Sequence, residues 1–302
     1  MLSFLLFYLS IKLYLNVGSS YKPKNVLEAN KLILGKNFKI FNVFYVACLF
    51  IVLAGMFAGV YEVYVNVISG VSAKICVLIT VALCVFETNG GLNRINKINN
   101  IFMPLTIILL LISAICVIFS VDNFNINTNI NLKTVLSSVF SVISYVGINL
   151  LLSGGILMLA GKQYNKNNNN FGSLVSAVVL AIIIVVFNLA MLLFGNISQM
   201  PMLDYAFNVN YYLGICVLFG IWFCIYSAIT SLAYVLSDML KSKINSNIIC
   251  NLIVVTISYV ISLFGFGEIV TYLYPVIGVV GILFSLLLIK NSRYANIKKT
   301  KE

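Results

Sequence analysis

Runs of about twenty apolar residues recur along this chain, with few charges inside them. Runs of that length cross the roughly 30 Å hydrocarbon core of a bilayer as helices, because each backbone N–H and C=O must find its partner within the segment. They fall at about 1–17, 40–66, 71–88, 100–121, 134–160, 172–195, 211–238, 247–264 and 269–289. β-barrel strands would alternate with period two over about ten residues, and these runs do not. The chain of 302 residues is 61% hydrophobic and only 9% charged, against about half and a quarter for a soluble domain. The expected fold is therefore an all-α integral membrane protein of about nine transmembrane helices. It forms a single transmembrane domain over 1–302, with no stretch left for a soluble one. The first run contains Lys12. It lacks a basic leading region and a small-residue cleavage site, so it does not resemble a signal peptide.

Net charge is +11. In a soluble protein that would suggest nucleic acid. Here it suggests cationic loops against an anionic leaflet, so the expected partner is the lipid bilayer and not nucleic acid. Lys22, Lys24, Lys31, Lys36 and Lys39 lie in the first loop, Arg94 and Lys97 in the third, Lys162 and Lys166 in the fifth, and Lys241 and Lys243 in the seventh. Lys290, Arg293, Lys298, Lys299 and Lys301 follow the last run, so 291–302 reads as a basic cytoplasmic tail. The alternate loops hold Lys74 and Lys133 alone, a split of sixteen against two. Basic residues resist translocation, so the rich side is cytoplasmic and the protein is a multi-pass protein of the cell membrane. With nine spans and the C-terminus inside, the N-terminus of this chain falls outside. A helix upstream of Met1 would explain that placement.

Histidine is absent, which argues against haem held by His, His-ligated zinc and most acid–base catalysis near neutral pH. Cys48, Cys76, Cys84, Cys116, Cys216, Cys224 and Cys250 all lie in apolar runs and form no CxxC pair, so they read as small hydrophobic filler. No GxxxxGK[ST] phosphate loop occurs. No metal site, no cofactor and no enzymatic activity are expected. An ion gradient, carried by Na⁺ or H⁺, is the expected energy source.

Four stretches, in order, cover nearly the whole chain: LAGMFAGVYE (53–62), INKINNIFMPL (95–105), SYVGINLLLS (144–153) and GFGEIVTYLYPVIGVVG (265–281), with MPML at 200–203. Together they resemble the YkvI-type bacterial membrane proteins of the amino acid–polyamine–organocation (APC) superfamily. The resemblance implies a LeuT-type fold of five plus five helices in two inverted repeats, with a solute site where discontinuous helices meet near the midplane. On that scheme 1–121 is the first repeat, equivalent to helices two to five, and 134–290 is the second, equivalent to helices six to ten. Members of the family open with a Gly-rich helix of the G-A-G-F-A-T-G kind, which has no counterpart here. The chain thus reads as N-terminally truncated, lacking the first helix.

The segment VISYVGINLLLSGG (142–155) carries the first site candidates: Ser144, Tyr145, Gly147, Asn149 and Ser153. Small and polar residues of this kind fit either a continuous helix packed closely on its neighbours or an interrupted one whose freed backbone holds a solute. The resemblance favours the interruption, with a half-helix N-terminus offering positive dipole to a carboxylate. In IYSAITSLAYVLSD (225–238), Ser227, Thr230, Ser231 and Tyr234 share one helical face. Ser227, Thr230 and Ser231 are the cation-binding candidates; the alternative is hydroxyls bonded back to their own helix. The resemblance aligns Ser227 and Ala228 with a sodium-binding hydroxyl pair, and Ala228 lacks the oxygen. Glu62, Glu87 and Glu268 sit near span ends, where snorkelling to water is the ordinary expectation. Glu62 is the proton-coupling candidate, because small residues one and two turns before it leave room. Pro275 is expected to kink the last span. The Asn167–Asn170 run reads as a short polar loop.

The expected function is ion-coupled secondary transport of a small amino-acid-like solute. The alternatives are a membrane receptor or sensor subunit that keeps a transporter fold, as in germinant-sensing permease relatives, and a non-functional truncation product.

Overall fold

The computed structural model describes residues 2–35, 38–68, 70–120, 131–162, 166–194, 198–241 and 244–299. Lys36, Lys243 and Lys301 lie outside the described residues. The described residues form helices α1 (Leu2–Tyr21), α2 (Val26–Leu34), α3 (Phe38–Val65), α4 (Gly70–Asn89), α5 (Leu92–Phe119), α6 (Leu132–Gly161), α7 (Lys166–Phe194), α8 (Pro201–Val209), α9 (Tyr211–Leu240), α10 (Asn247–Ser262), α11 (Phe266–Glu268) and α12 (Tyr274–Lys299), with a π-helical stretch Ile269–Leu273. No strand occurs among them.

Eight of these helices are long and apolar enough to cross a membrane. The ninth, α10, has 16 residues, about 24 Å at 1.5 Å per residue, roughly a turn short of the hydrocarbon core. The protein is an all-α integral membrane protein of about nine spans. Large apolar side chains project outward along the rods, as at Ile101, Phe119 and Leu192; with lipid as the solvent, this outward apolar face is the stable one. α3 is the best covered, with 61% of its apolar window buried.

Two short helices lie between the long ones. In α2 the Asn25 side chain accepts from the Glu28 N–H at 2.8 Å, while Glu28 reaches back to accept from the Lys24 N–H at 2.8 Å. This reciprocal cap starts a helix whose Val26, Ala29, Ile33 and Leu34 are buried. α8 begins with Pro201, where a missing N–H costs nothing, and buries Met202, Leu203, Tyr205 and Ala206. α7 starts at Lys166, so 167–170 is helix and not the expected loop.

The chain divides into two compact units, each drawing on sequence from both halves. One comprises Met1–Leu49, Ile130–Ala181 and Val270–Glu302; the other comprises Phe50–Asn129 and Ile182–Ile269. In the first unit α6 packs on α1, α2 and α12, and α12 also on α2. In the second, α9 packs on α4, α5, α8 and α10. Its core gathers Val63, Leu110, Leu203, Val217 and Leu218. Beside it, Ala114, Val117, Ala190 and Tyr205 are buried.

The first unit is held by glycines. A Cβ on Gly147 would lie 2.0 Å from the Gly278 carbonyl oxygen, and one on Gly281 1.9 Å from that of Gly147. Gly18 meets the Met158 carbonyl at 2.0 Å and Gly161 that of Leu15 at 2.1 Å by the same measure. Within a bilayer, lipid tails are as apolar as leucine, so helices associate through such backbone-level packing. Gly147→Ala should therefore cost on the order of 1–3 kcal/mol by overpacking. Gly172→Ala on α7 has open space and should be neutral or stabilising by up to about 1 kcal/mol. Thermal unfolding of the two variants in detergent checks the contrast.

Candidate functional site

The expected interruption between 142 and 155 is absent: α6 is one continuous helix of 30 residues. Asn149 and Ser153 are satisfied within the rod, and Ser144 is sealed in packing. Asn149 Nδ2 donates to the Tyr145 carbonyl at 2.7 Å, and Ser153 Oγ to the Asn149 carbonyl at 2.6 Å. Ser144 is buried against Gly278, with no partner for its hydroxyl among the described residues. Tyr145 is 48% exposed and meets Phe7 edge-on. The small residues serve helix approach because α12 offers Gly278 and Gly281 opposite Gly147. That pairing spans 131 residues of sequence, and no local pattern announces it.

Irregular backbone occurs instead before α12. Gly265 has φ 98°, a left-handed value that glycine adopts without cost. The three-residue α11 and the π turn Ile269–Leu273 follow. Pro275 supplies the cause: it has no N–H to return to Thr271, so the turn before it bonds differently. The expected kink thus takes the form of a π-helical entry to the span.

The hydroxyl row on α9 does share one face, and α5 supplies its partner. Ser227 Oγ donates to Asn99 Oδ1 at 2.9 Å. Asn99 Nδ2 donates to Ser231 Oγ at 3.5 Å. Thr230 and Ser231 both donate to the Ser227 carbonyl, at 3.0 and 2.8 Å. Each of the three hydroxyl protons is thus spent on an oxygen of the protein, and the row ties α9 to α5.

Glu87 differs from the snorkelling expectation. It is 2% exposed, and the Tyr226 hydroxyl donates to its Oε2. Its Oε1 is buried without a hydrogen-bond partner among the described residues. Tyr226 stacks on Trp222, ring centroids 5.3 Å apart, and the indole N–H donates to Thr80 at 3.1 Å. Two residues beyond Glu87, at the end of α4, Asn89 accepts from Asn251 of α10 at 2.6 Å. α4, α9 and α10 are therefore joined by a polar seam whose hydrogen-bonded partners lie up to 162 residues apart. Asn99, Tyr226, Trp222 and Asn251 were invisible as site residues from spacing alone. The available signal was chemical, since Tyr226, Trp222 and Asn251 each place a hydrogen-bonding group inside an apolar run.

A cavity of about 410 Å³ opens within the second unit between α3, α4, α10 and the chain entering α11. Its walls include Phe57, Tyr61, Tyr259 and Phe266, and both Glu62 and Lys74 line it. Glu62 is half-buried and Lys74 exposed. The one ion pair among the described residues joins Lys241 and Asp238 at 4.0 Å, so Glu62 and Lys74 stand apart as separate charges. Gly265 lies on the cavity wall as well, placing the irregular backbone beside these charges. Lys74 enters the sequence as a minor loop cation; only the fold shows it sharing a wall with Glu62. Glu268 is exposed on α11. Among the described residues no three His, Cys, Asp or Glu side chains cluster as metal ligands would.

Compared with family models and with curated proteins, the chain matches none.

Tyr226→Phe removes the hydrogen bond at Glu87 and should cost about 1–3 kcal/mol, because it leaves a buried acceptor unsatisfied. Ser113→Ala removes a hydroxyl that bonds only its own helix, at the Leu109 carbonyl, and should stay within about 0.5 kcal/mol. Denaturation in detergent of both variants tests the difference.

Proposed function

We propose that this protein is a secondary transporter of a small zwitterionic, amino-acid-like solute in the cell membrane, coupled to an ion gradient. The cavity carries the proposal. Its volume of about 410 Å³ lies in the range of small-molecule sites. One carboxylate and one ammonium on an aromatic wall complement a solute bearing one ammonium and one carboxylate. Glu62 takes the solute's amine, Lys74 its carboxylate, and the rings of Phe57, Tyr61, Tyr259 and Phe266 its apolar part. Glu62 thereby acts as a solute-binding group rather than the proton carrier.

The sequence resemblance to YkvI-type members of the APC superfamily supports a LeuT-type fold and the transport class. The sixteen-to-two lysine and arginine split supports a cytoplasmic C-terminus. On that orientation the α3–α4 and α10–α11 connections, and with them the cavity, face outward.

The test is uptake of a radiolabelled amino-acid mixture by the reconstituted protein, with and without an imposed sodium or proton gradient. Gradient-driven accumulation is expected. Glu62→Gln or Lys74→Gln should each reduce it by about tenfold, equivalent to ~1.4 kcal/mol of solute affinity. Saturable binding with no accumulation under either gradient would instead mark a receptor.

A further inference from the structure

A buried carboxyl group with one oxygen held and the other free of partners is unusual inside a membrane protein. Glu87 lies near the end of α4 and is 2% exposed. Oε2 accepts from the Tyr226 hydroxyl of α9, and Oε1 is buried without a hydrogen-bond partner among the described residues. As a carboxylate the group would hold a full charge out of water with one donor, which is strongly unfavourable. With a proton on Oε1 the charge is gone, and the Tyr226 bond to Oε2 is kept.

The groups around it agree. From α5 comes Arg94, which forms no ion pair with Glu87 among the described residues. Its guanidinium lies over the Phe86 ring, 4.2 Å from the centroid. From α10 comes the neutral Asn251, bonded to Asn89. On α4 itself the titratable neighbour is Cys84, fully buried. A hard cation would gather about six oxygen ligands, and the nearby hydroxyls are already engaged. Thr88 donates to the Cys84 carbonyl at 2.8 Å, and Thr80 donates to that of Cys76 at 2.9 Å while accepting from Trp222.

From this geometry we propose that Glu87, between α4 and α9, is a reversible proton-binding site and that the proton is the coupling ion. The O–H bond forms on Oε1 with a proton from solvent and breaks by returning it to solvent. When the proton leaves, Arg94 is the counter-charge at hand, released from Phe86. Gly90 and Gly91 lie between the two charged residues, and Gly91, at φ 77°, precedes the first residue of α5. Loss of the proton therefore pulls on the α4–α5 corner. The choice of coupling ion rests on the transport reading above; the proton site does not.

The experiment is pH-dependent infrared difference spectroscopy of the full chain in liposomes, with the proton itself as probe. The wild type should show a protonated-carboxyl C=O band that is lost as pH rises. Glu87→Gln should lose this band entirely, and Glu62→Gln should keep it. A band of unchanged amplitude in Glu87→Gln overturns the proposal, as does a band change that requires sodium in place of potassium. If Glu87→Gln fails to elute as a folded species, Tyr226→Phe serves, because loss of its hydrogen bond to Oε2 should shift the band. An unshifted band there is equally fatal. Because no solute is present, failure of uptake with the band intact would remove the coupling role alone.

Discussion

The close approach of α6 to α12 and α1 is the constraint on which the first unit depends. Glycines at 147, 278 and 281 let two backbones meet at distances a single methyl group would forbid. Gly18 and Gly161 do the same across α1 and α6. A side chain would relieve the crowding by separating the rods, and in lipid nothing comparable to the aqueous hydrophobic effect would press them back. With the backbones this close, Tyr14 reaches Ser285 at 3.2 Å, and Ser144 is sealed against α12. Tyr45 stacks on Phe284 with centroids 5.5 Å apart. Asn291 donates to the Ile33 carbonyl at 2.7 Å, joining α2 to α12.

The second unit uses a different device. Its helices are pinned by polar pairs set in apolar surroundings: Asn99 with Ser227, Trp222 with Thr80, Tyr226 with Glu87, and Asn251 with Asn89. Each is worth more for specificity than for net stability, because an unpaired partner in a dry interior is costly. Such pairs set which face of α9 meets α4 and which meets α5. The cavity beside Glu62 forms where this regular packing gives way at Gly265. Backbone irregularity at membrane depth is tolerated where protein or a water-lined space satisfies it.

Much of the architecture was legible from the chain. Apolar runs of about twenty residues located the spans, and the 247–262 helix was identifiable even though it falls short of full thickness. Pro275 pointed to a disturbance in the last span. The α6 gap was a misreading with a clear cause: Ser144, Gly147, Asn149 and Ser153 suit both an opened helix and a tightly packed one. What separates the two cases is the surface opposite, and Gly278 and Gly281 lie far away in sequence. Glu87 was misjudged because its place near a span end suggests access to water, whereas Tyr226 and its surroundings close over it.

Sequence alone settled the solvent this protein inhabits, the rough limits of its long apolar helices, and the absence of the histidine chemistry many enzymes need. Those properties follow from composition and from local, chain-contiguous patterns. Tertiary structure alone decided that α6 runs unbroken, that Lys74 shares a wall with Glu62, and that Glu87 is buried with a single donor. Each of these depends on which helix faces which, and burial and hydrogen bonding belong to pairs of distant residues rather than to any stretch of chain.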